Sequence, residues 1–125
     1  MILDTNAISA LSLEDADVVR LLGSGSHHHL PVVVIGEYEF GLVGSKRRRE
    51  LSTWFSLLIS ESIVLPVDRE TASQYAAICA ALKRAGTPIP VNDIWIAALA
   101  RQHALKVVSR DEHFDVVDGI ARVEW

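Results

Sequence analysis

The chain has 125 residues, of which 50% are hydrophobic and 22% are charged, a composition that predicts one globular domain over residues 1–125 and excludes wholesale disorder. The one cysteine, Cys79, excludes an internal disulfide and a cysteine-based zinc site. The formal net charge of −4 provides no overall attraction for nucleic acid, so any such binding must depend on local patches. With neither a leader pattern nor an apolar stretch of membrane-spanning length in view, we expect a soluble protein of the reducing cytoplasm.

Short apolar runs alternate along the chain with longer segments whose apolar residues recur at helical spacing. In chain order these patterns predict a strand at 1–3, a helix at 13–22, a strand at 30–34, helices at 35–43 and 47–60, a strand at 63–65, a helix from 68 or 69 to about 86, a helix at 92–103, and strands at 106–109 and 121–123. The two prolines of Thr87–Pro90 predict a loop. Strands separated by helices of this length indicate an α/β fold with a mainly parallel sheet that is covered on both faces.

Four acidic residues lie at or just after predicted strands, or at the start of a helix. Asp4 ends the first strand in MILDTNAIS, and Glu37 follows the second strand in VVVIGEYEFG. Asp93 opens a helix in VNDIWIAALA, and Asp111 closes KVVSRD, just past a strand. Because the carboxyl ends of parallel strands lie on one edge of a sheet, the four carboxylates can converge there. Their mutual repulsion would require a cation, and a hard divalent ion such as Mg²⁺ suits oxygen ligands.

Each of these acids also has a structural explanation. Asp4 and Asp93 stand at positions where side chains cap helices. Glu37 fits an exposed helix surface as well as Glu39 does, and Asp111 lies in an acidic loop. The helix after Asp93 is apolar on all sides, however, so we expect it to be buried and its terminal carboxylate to need a partner. The specific signal is the set of four acids, since no single one is specific.

The segments MILDTNAIS, VVVIGEYEFG, VNDIWIAALA and VVSRDEHF together resemble the successive motifs of PIN-domain ribonucleases, especially VapC-type toxins of bacterial type II toxin–antitoxin pairs. The resemblance implies a three-layer α/β/α sandwich around a five-stranded parallel sheet, a homodimer, and inhibition by an antitoxin whose tail enters the active site. It also implies that the four acids bind Mg²⁺ or Mn²⁺, and the family's E-x-x-x-G pattern favours Glu37 over Glu39. Three polar residues match positions that line this site: Thr5, Asn6 and Ser109.

The fourth ligand departs from the family pattern. Many relatives carry Asn where Asp111 stands and Asp two residues later, where this chain has His113. Asp111 is the predicted fourth ligand and Asp115 is the weaker alternative, and the sequence does not decide between them.

Candidate RNA contacts come from basic and aromatic residues. The run Arg47–Arg49 in SKRRRE is the densest basic cluster, and it either holds RNA phosphates beside the acids or forms a solvated helix surface. Because consecutive helix positions spread over about 200°, the three arginines cannot all face one groove. Trp54, Phe55 and Trp95 lie at helical core spacing, which favours burial over base stacking.

The segment 23–29, GSGSHHH, ends in three consecutive histidines that join a helix to a strand. Such residues are able to bind metal ions, but side chains alternate in direction along an extended run. This geometry argues against a metal ion shared by His27–His29, and the sequence assigns the run no role.

The four acids predict a divalent ion that activates water at a phosphate, and the family resemblance implies that the protein is a Mg²⁺-dependent endoribonuclease cleaving RNA phosphodiester bonds. A Mg²⁺-dependent phosphatase of the haloacid-dehalogenase type fits less well, because its second Asp would stand at Asn6. A receiver domain would need an acidic pair at the first strand end, where Asp4 stands alone. A catalytically silent binding module on the same fold is the remaining alternative. The sequence does not identify the RNA target, the antitoxin, or whether one or two metal ions bind.

Overall fold

The fold is organised around a sheet of short strands. The strands are β1 (Ile2–Leu3), β2 (His29–Pro31), β3 (Ile63–Leu65), β4 (Val107–Val108) and β5 (Arg122–Val123). In the computed structural model, which describes residues 1–23 and 27–125, these five strands pair in parallel in the order β3-β2-β1-β4-β5. Ile2 pairs with both His29 and Val107, so β1 is the central strand. The predicted five-stranded parallel sheet is confirmed.

Helices connect the strands and cover both faces of the sheet. They are α1 (Thr5–Ser12), α2 (Ala16–Leu22), α3 (Val32–Leu42), α4 (Arg48–Ser60), α5 (Arg69–Ala85), α6 (Val91–Gln102) and a 3-10 helix (Glu112–Val116). From β1 the chain adds β2 and β3 in one direction, and then crosses back to add β4 and β5 in the other. Because parallel crossovers are right-handed, the two sets of connecting helices lie on opposite faces. The predicted three-layer α/β/α sandwich is thus confirmed.

The core lies between the sheet and the helices. The two central strands are completely buried through Ile2, Leu3, Val107 and Val108. Helix α6 is also buried, since every residue from 96 to 99 has no exposed surface. This confirms the burial that its apolar sequence predicted. Phe55 is buried and Trp54 and Trp95 are half-buried, in agreement with their core spacing.

The prediction of a strand at 30–34 is wrong beyond Pro31. Val32, Val33 and Val34 form the first turn of α3. Pro31 has an extended backbone (φ −58°, ψ 140°) and directly precedes the helix, where its missing N–H costs no helical hydrogen bond. Val34 is completely buried whereas Val32 is 40% exposed, so the packing of one helix face outweighs the β propensity of the three valines.

The helix predicted at 13–22 begins later than expected, and another helix precedes it. Helix α1 ends at Ser12 and α2 starts at Ala16. Between them Glu14 adopts a positive φ of 54°, which turns the chain. The carboxylate of Asp15 then accepts the N–H of Asp17 at 2.9 Å and caps α2. The predicted helix began at Leu13 because this residue extends the apolar spacing of α2, but Leu13 lies in the turn and is 69% exposed.

Helix α5 has the boundaries that the sequence predicts. Asp68 accepts the backbone N–H of Thr71, and the Thr71 hydroxyl accepts the N–H of Asp68, so both residues cap the amino end. Gly86 ends the helix with a φ of 68°, a conformation that favours glycine. Neither α5 nor any other helix in residues 1–23 and 27–125 combines the length and apolar character that crossing a membrane requires.

Candidate active site

Asp4 lies directly after β1, at the carboxyl edge of the sheet, and is 4% exposed. Its Oδ1 accepts the backbone N–H of Thr5 at 2.7 Å and thereby caps α1. Its Oδ2 accepts the Ser109 hydroxyl at 2.7 Å and the Asn6 side-chain amide at 2.9 Å. Asp4 therefore caps a helix with one oxygen, while side chains hold the other oxygen at the edge of the sheet.

Ser109 connects this carboxylate to the end of the neighbouring strand. It follows β4, and its side chain is completely buried. Besides donating to Asp4, its Oγ accepts the Asn6 amide at 3.0 Å and the backbone N–H of Asp111 at 2.9 Å. The Asn6 carbonyl oxygen in turn accepts the backbone N–H of Arg110 at 3.2 Å. These hydrogen bonds tie the ends of β1 and β4 together and fix the orientation of Asp4.

Asp93 is the third residue of α6 and is buried. Among the residues that the structure describes, no side chain caps the amino end of this helix through a hydrogen bond, so capping does not account for Asp93. Its Oδ2 lies 2.9 Å from Nδ1 of His113. The partner that a buried carboxylate requires is therefore a histidine ring.

Asp111 and His113 meet at the start of the 3-10 helix. Asp111 caps this helix, since its Oδ1 accepts the backbone N–H of His113 at 2.9 Å. The ring Nδ1 of His113 lies 2.9 Å from the same oxygen and 2.9 Å from Asp93. One imidazole thus contacts two carboxylates that come from different elements of the fold.

Glu37 lies in the second turn of α3, and its side chain is largely exposed. The side chain of Asn92, the residue before Asp93, is close enough to Glu37 to lower its pKa in part. Partial burial raises the pKa of Glu37, and the negative charges of Asp4 and Asp93 raise it further. Glu37 is therefore close enough to Asp4 and Asp93 for electrostatic repulsion between the carboxylates. Glu39 lines a different surface of the same helix, as its sequence position predicts.

Burial and the mutual repulsion of the carboxylates raise the pKa values of the acids in this cluster. Burial is the main reason that the pKa values of Asp4 and Asp93 are raised, and repulsion from Asp111 adds to both. The hydrogen bond from Ser109 partly offsets this shift for Asp4, as does that from His113 for Asp93. The pKa of His113 is raised, mainly by its hydrogen bond with Asp93. A cation in this cluster would be stabilised by several negative charges at once.

The side chains present suit a divalent metal ion. In residues 1–23 and 27–125, the group placed to share an ion is Asp93, Asp111 and His113, whose candidate ligand atoms all lie within 4.8 Å of one another. Asp4 adds a fourth side chain near Asp111, whose charge raises the pKa of Asp4. Carboxylate oxygens together with one imidazole nitrogen fit Mg²⁺, Mn²⁺ or a related ion.

An open groove of about 530 Å³ begins beside these acids. It is lined by residues of α1, α3 and α4, and it includes Thr5, Glu37 and Arg47. Phe40 and Leu13, which are 79% and 69% exposed, also lie in its wall. The groove therefore combines an acidic end, a basic side chain and exposed apolar surface.

Comparison with known proteins identifies the family. A family model of the PIN domain matches residues 1–120. This chain belongs to the PIN-domain family. This PIN domain is 35% identical over 97 residues to ribonuclease VapC5 of Mycobacterium tuberculosis, and the aligned part covers 74% of this chain and 70% of that protein.

Solved structures agree with this assignment. DNA-bound VapBC from Salmonella typhimurium matches with a TM-score of 0.85 and 26% identity, covering 99% of this PIN domain and 96% of that chain. VapBC2 from Rickettsia felis, bound to a promoter DNA fragment, matches with a TM-score of 0.88 over 99% and 97% of the two chains. At 19% identity the latter shows the fold alone. The resemblance to VapC-type PIN domains is confirmed.

The structure separates the two candidates for the fourth acid. Both carboxylate oxygens of Asp115 accept hydrogen bonds from Arg122, each at 2.8 Å. Arg122 also donates to the backbone carbonyl of Ser109 at 3.2 Å, so the Asp115–Arg122 pair braces the end of β4. Asp111, in contrast, lies beside His113 within the acidic cluster. The geometry of this PIN domain favours Asp111 over Asp115.

The predicted basic cluster is divided between two surfaces. Arg47 lines the groove that contains Glu37, and its guanidinium pairs with Glu50 at 2.8 Å. Arg48 lies next to Glu39 in a different depression. As helix geometry predicts, the arginines do not all face one groove.

Sequence reasoning did not predict roles for two residues beside the acids. His113 stands out in the sequence only as a departure from the family pattern, and the sequence pattern predicts no role for Arg110. Arg110 stacks over the Trp125 ring, with its guanidinium carbon 4.4 Å from the ring centre, and lies 3.6 Å from Asp15. It shares an open depression with His113 and Asp111. A basic residue next to a predicted acidic ligand was the signal available in the sequence.

The histidine run lies apart from this cluster. Residues 24–26 of the segment 23–29 lie outside the described residues, so the structure tests the interpretation of this segment only for the histidines. His29 belongs to β2, and among described residues no cluster of possible metal ligands includes His27–His29. A metal ion shared by these histidines gains no support.

Proposed function

We propose that this PIN domain is a metal-dependent endoribonuclease and the toxin of a toxin–antitoxin pair. The observation that carries the proposal is the convergence of Asp4, Asp93 and Asp111 at the carboxyl edge of the sheet, joined by Ser109 and His113. Relatives named as VapC ribonucleases support the class of activity. Structural neighbours described as VapBC complexes support pairing with an antitoxin.

Some of the acidic residues would bind the cation, and others would position the attacking water. Asp4, Asp93 and Asp111 would hold a Mg²⁺ or Mn²⁺ ion, and Ser109 fixes the Asp4 carboxylate through its 2.7 Å hydrogen bond. When bound, the ion supplies positive charge to the scissile phosphate and lowers the pKa of a bound water. Glu37, the remaining predicted ligand, has a raised pKa and would either complete the ligand set or orient a water molecule and accept its proton.

The groove beside Glu37 offers a path for the RNA strand. Arg47 in its wall would supply positive charge by exchanging its exposed partner Glu50 for an RNA phosphate, because a chain with a net charge of −4 requires local cations near a polyanion. Phe40 and Leu13 provide apolar surface that a segment of the antitoxin would cover, and a peptide seated there would block RNA from Glu37. We also expect a homodimer, which light scattering would detect as twice the chain mass of 13.7 kDa.

The test is RNA cleavage by the purified toxin with Mg²⁺, with Mn²⁺ and with EDTA. We expect cleavage only with a divalent ion, and we expect Asp4→Asn to abolish it. Glu37→Gln should reduce cleavage strongly, whereas Glu39→Gln, on another surface of α3, serves as the matched control and should retain it. Because water is the proposed nucleophile, the products should carry 5′-phosphate and 3′-hydroxyl ends.

Three results would contradict the proposal. These are cleavage by Asp4→Asn at the wild-type rate, cleavage that is unaffected by EDTA, and products with 2′,3′-cyclic phosphate ends. Metal binding without cleavage of any RNA tested would instead favour a binding module on the same fold.

A further inference from the structure

The imidazole of His113 lies between two of the acids. Its Nδ1 is 2.9 Å from Oδ2 of Asp93 and 2.9 Å from Oδ1 of Asp111. The backbone N–H of His113 also donates to Asp111 at 2.9 Å, so the residue is held at the point where its ring meets the acidic cluster.

We propose that Nδ1 of His113 is a direct ligand of the divalent cation, together with the carboxylates of Asp93 and Asp111. The site then has mixed nitrogen and oxygen donors, whereas the four predicted acids alone would provide only oxygen. This inference rests on the proposed metal dependence and specifies which ions the site prefers.

The separations of the candidate ligand atoms agree with a shared ion. Two ligand atoms bonded to one cation at about 2.1 Å and at right angles lie about 3.0 Å apart. The observed separations of Nδ1 from the Asp93 and Asp111 oxygens are both 2.9 Å, and all three atoms lie within 4.8 Å of one another. The two Nδ1–oxygen separations are therefore those expected of neighbouring ligands on one ion.

The exposure of these side chains agrees with a role at the mouth of the site. The His113 side chain is 47% exposed and that of Asp93 is 12% exposed, so the ring covers the buried acid from the solvent side. The alternative role is a neighbouring group that only hydrogen-bonds the two carboxylates and leaves when an ion arrives. The two roles differ in whether a nitrogen atom bonds to the ion.

An imidazole ligand changes the preference among metal ions. Mg²⁺ prefers oxygen donors, whereas later ions of the first transition row, such as Co²⁺, bind imidazole nitrogen well. We therefore expect the site to favour Co²⁺ over Mg²⁺ more strongly than a site with only oxygen donors. His113→Asp creates that all-oxygen site in the same protein.

The experiment measures Co²⁺ and Mg²⁺ binding by calorimetry for the wild type, His113→Asp and Asp93→Asn. His103→Asp is the matched control, because it makes the same chemical change at an exposed residue just after α6, whose first turn holds Asp93. In His113→Asp we expect the preference for Co²⁺ over Mg²⁺ to fall about tenfold or more. Proton NMR of the Co²⁺-loaded wild type should show strongly shifted histidine ring signals, which His113→Asp loses and His103→Asp keeps.

The possible failures can be told apart. An unchanged ion preference, or shifted histidine signals that persist in His113→Asp, would overturn the role of His113 while the proposed nuclease stands. Binding that Asp93→Asn does not weaken would place the ion elsewhere and overturn both proposals. Absence of Co²⁺ and Mg²⁺ binding to the wild type would also overturn both.

Discussion

Ser109 and Asp4, which are 105 residues apart in the chain, share a buried hydrogen bond of 2.7 Å. The Ser109 hydroxyl also accepts the backbone N–H of Asp111 at 2.9 Å. One small side chain therefore connects two of the acids that we propose as metal ligands. Its removal should affect both the stability and the electrostatics of the site.

We predict that Ser109→Ala lowers the free energy of unfolding by about 1–3 kcal/mol, because it leaves buried polar groups without their partner. It should also raise the pKa of Asp4 further, since the hydrogen bond from Ser109 lowers that pKa. Urea denaturation and carboxyl ¹³C NMR titration measure the two effects. Ser56→Ala is the control, because the exposed Ser56 hydroxyl donates to the Ser52 carbonyl of its own helix. Equal losses of stability in both variants would show that Ser109 has no special role.

The acidic cluster of the metal-free protein should contribute less to stability as the pH rises, whereas the lowered pKa values of His28 and His29 act in the opposite direction. The pKa values of Asp4 and Asp93 are raised above the usual 3.8, and that of Glu37 above the usual 4.5. Between the usual and the raised values, the folded state binds more protons than the unfolded state, so stability is lost with rising pH. The raised pKa of His113 has the same sign, and its contribution is lost as the pH passes above 6.5 and through the raised value.

Glu37→Gln tests this pH dependence, because it removes one negative charge and keeps a side chain of nearly the same size and shape. We expect a higher melting temperature than wild type at pH 7 without metal, and a smaller loss of stability between pH 4 and pH 7. Saturating Mg²⁺ should raise the melting temperature of the wild type, since the ion binds only the folded state. Glu39→Gln is again the control. The electrostatic explanation fails if both variants follow the wild-type pH curve.

Asp111→Asn and Asp115→Asn should have different consequences, although the two acids are only four positions apart. Asp111→Asn should weaken binding of the divalent ion about tenfold or more, because it removes a negative charge beside the proposed ion. Asp115→Asn should leave ion binding unchanged and lower the melting temperature, because both oxygens of Asp115 are engaged by Arg122. Calorimetry and thermal unfolding measure the two effects. The reverse pattern would make Asp115 the ligand.

RNA binding should depend on arginines beside the acids. We predict that Arg47→Ala and Arg110→Ala each weaken binding of all RNAs and reduce the salt dependence by about one unit of slope. Arg48→Ala should change neither, because Arg48 lies beside Glu39 on another surface. Fluorescence anisotropy at several salt concentrations would measure RNA affinity and its salt dependence. Each arginine variant would be made in the Asp4→Asn background, which we expect to be inactive, and assayed without antitoxin. If Arg48→Ala has the same effect as Arg47→Ala, the run binds RNA only as a diffuse positive surface.

The sequence by itself determined the order of the strands along the chain and the placement of acids at their ends. Asp4 and Asp111 follow β1 and β4, and parallel pairing brings such positions to one edge. The sequence also predicted the burial of α6, because a helix that is apolar on all sides has no polar side to present to solvent. These features depend on local pattern and on general rules of sheet topology.

Only the tertiary structure decided which side chains meet. The Asp115 carboxylate turns to Arg122 and the His113 ring turns to Asp93, although both residues lie in the same 3-10 helix. Three valines after Pro31 entered a helix because packing of Val34 outweighs their β propensity. These outcomes depend on contacts between different elements of the fold, such as that of His113 with α6, and the sequence pattern does not specify which side chains meet.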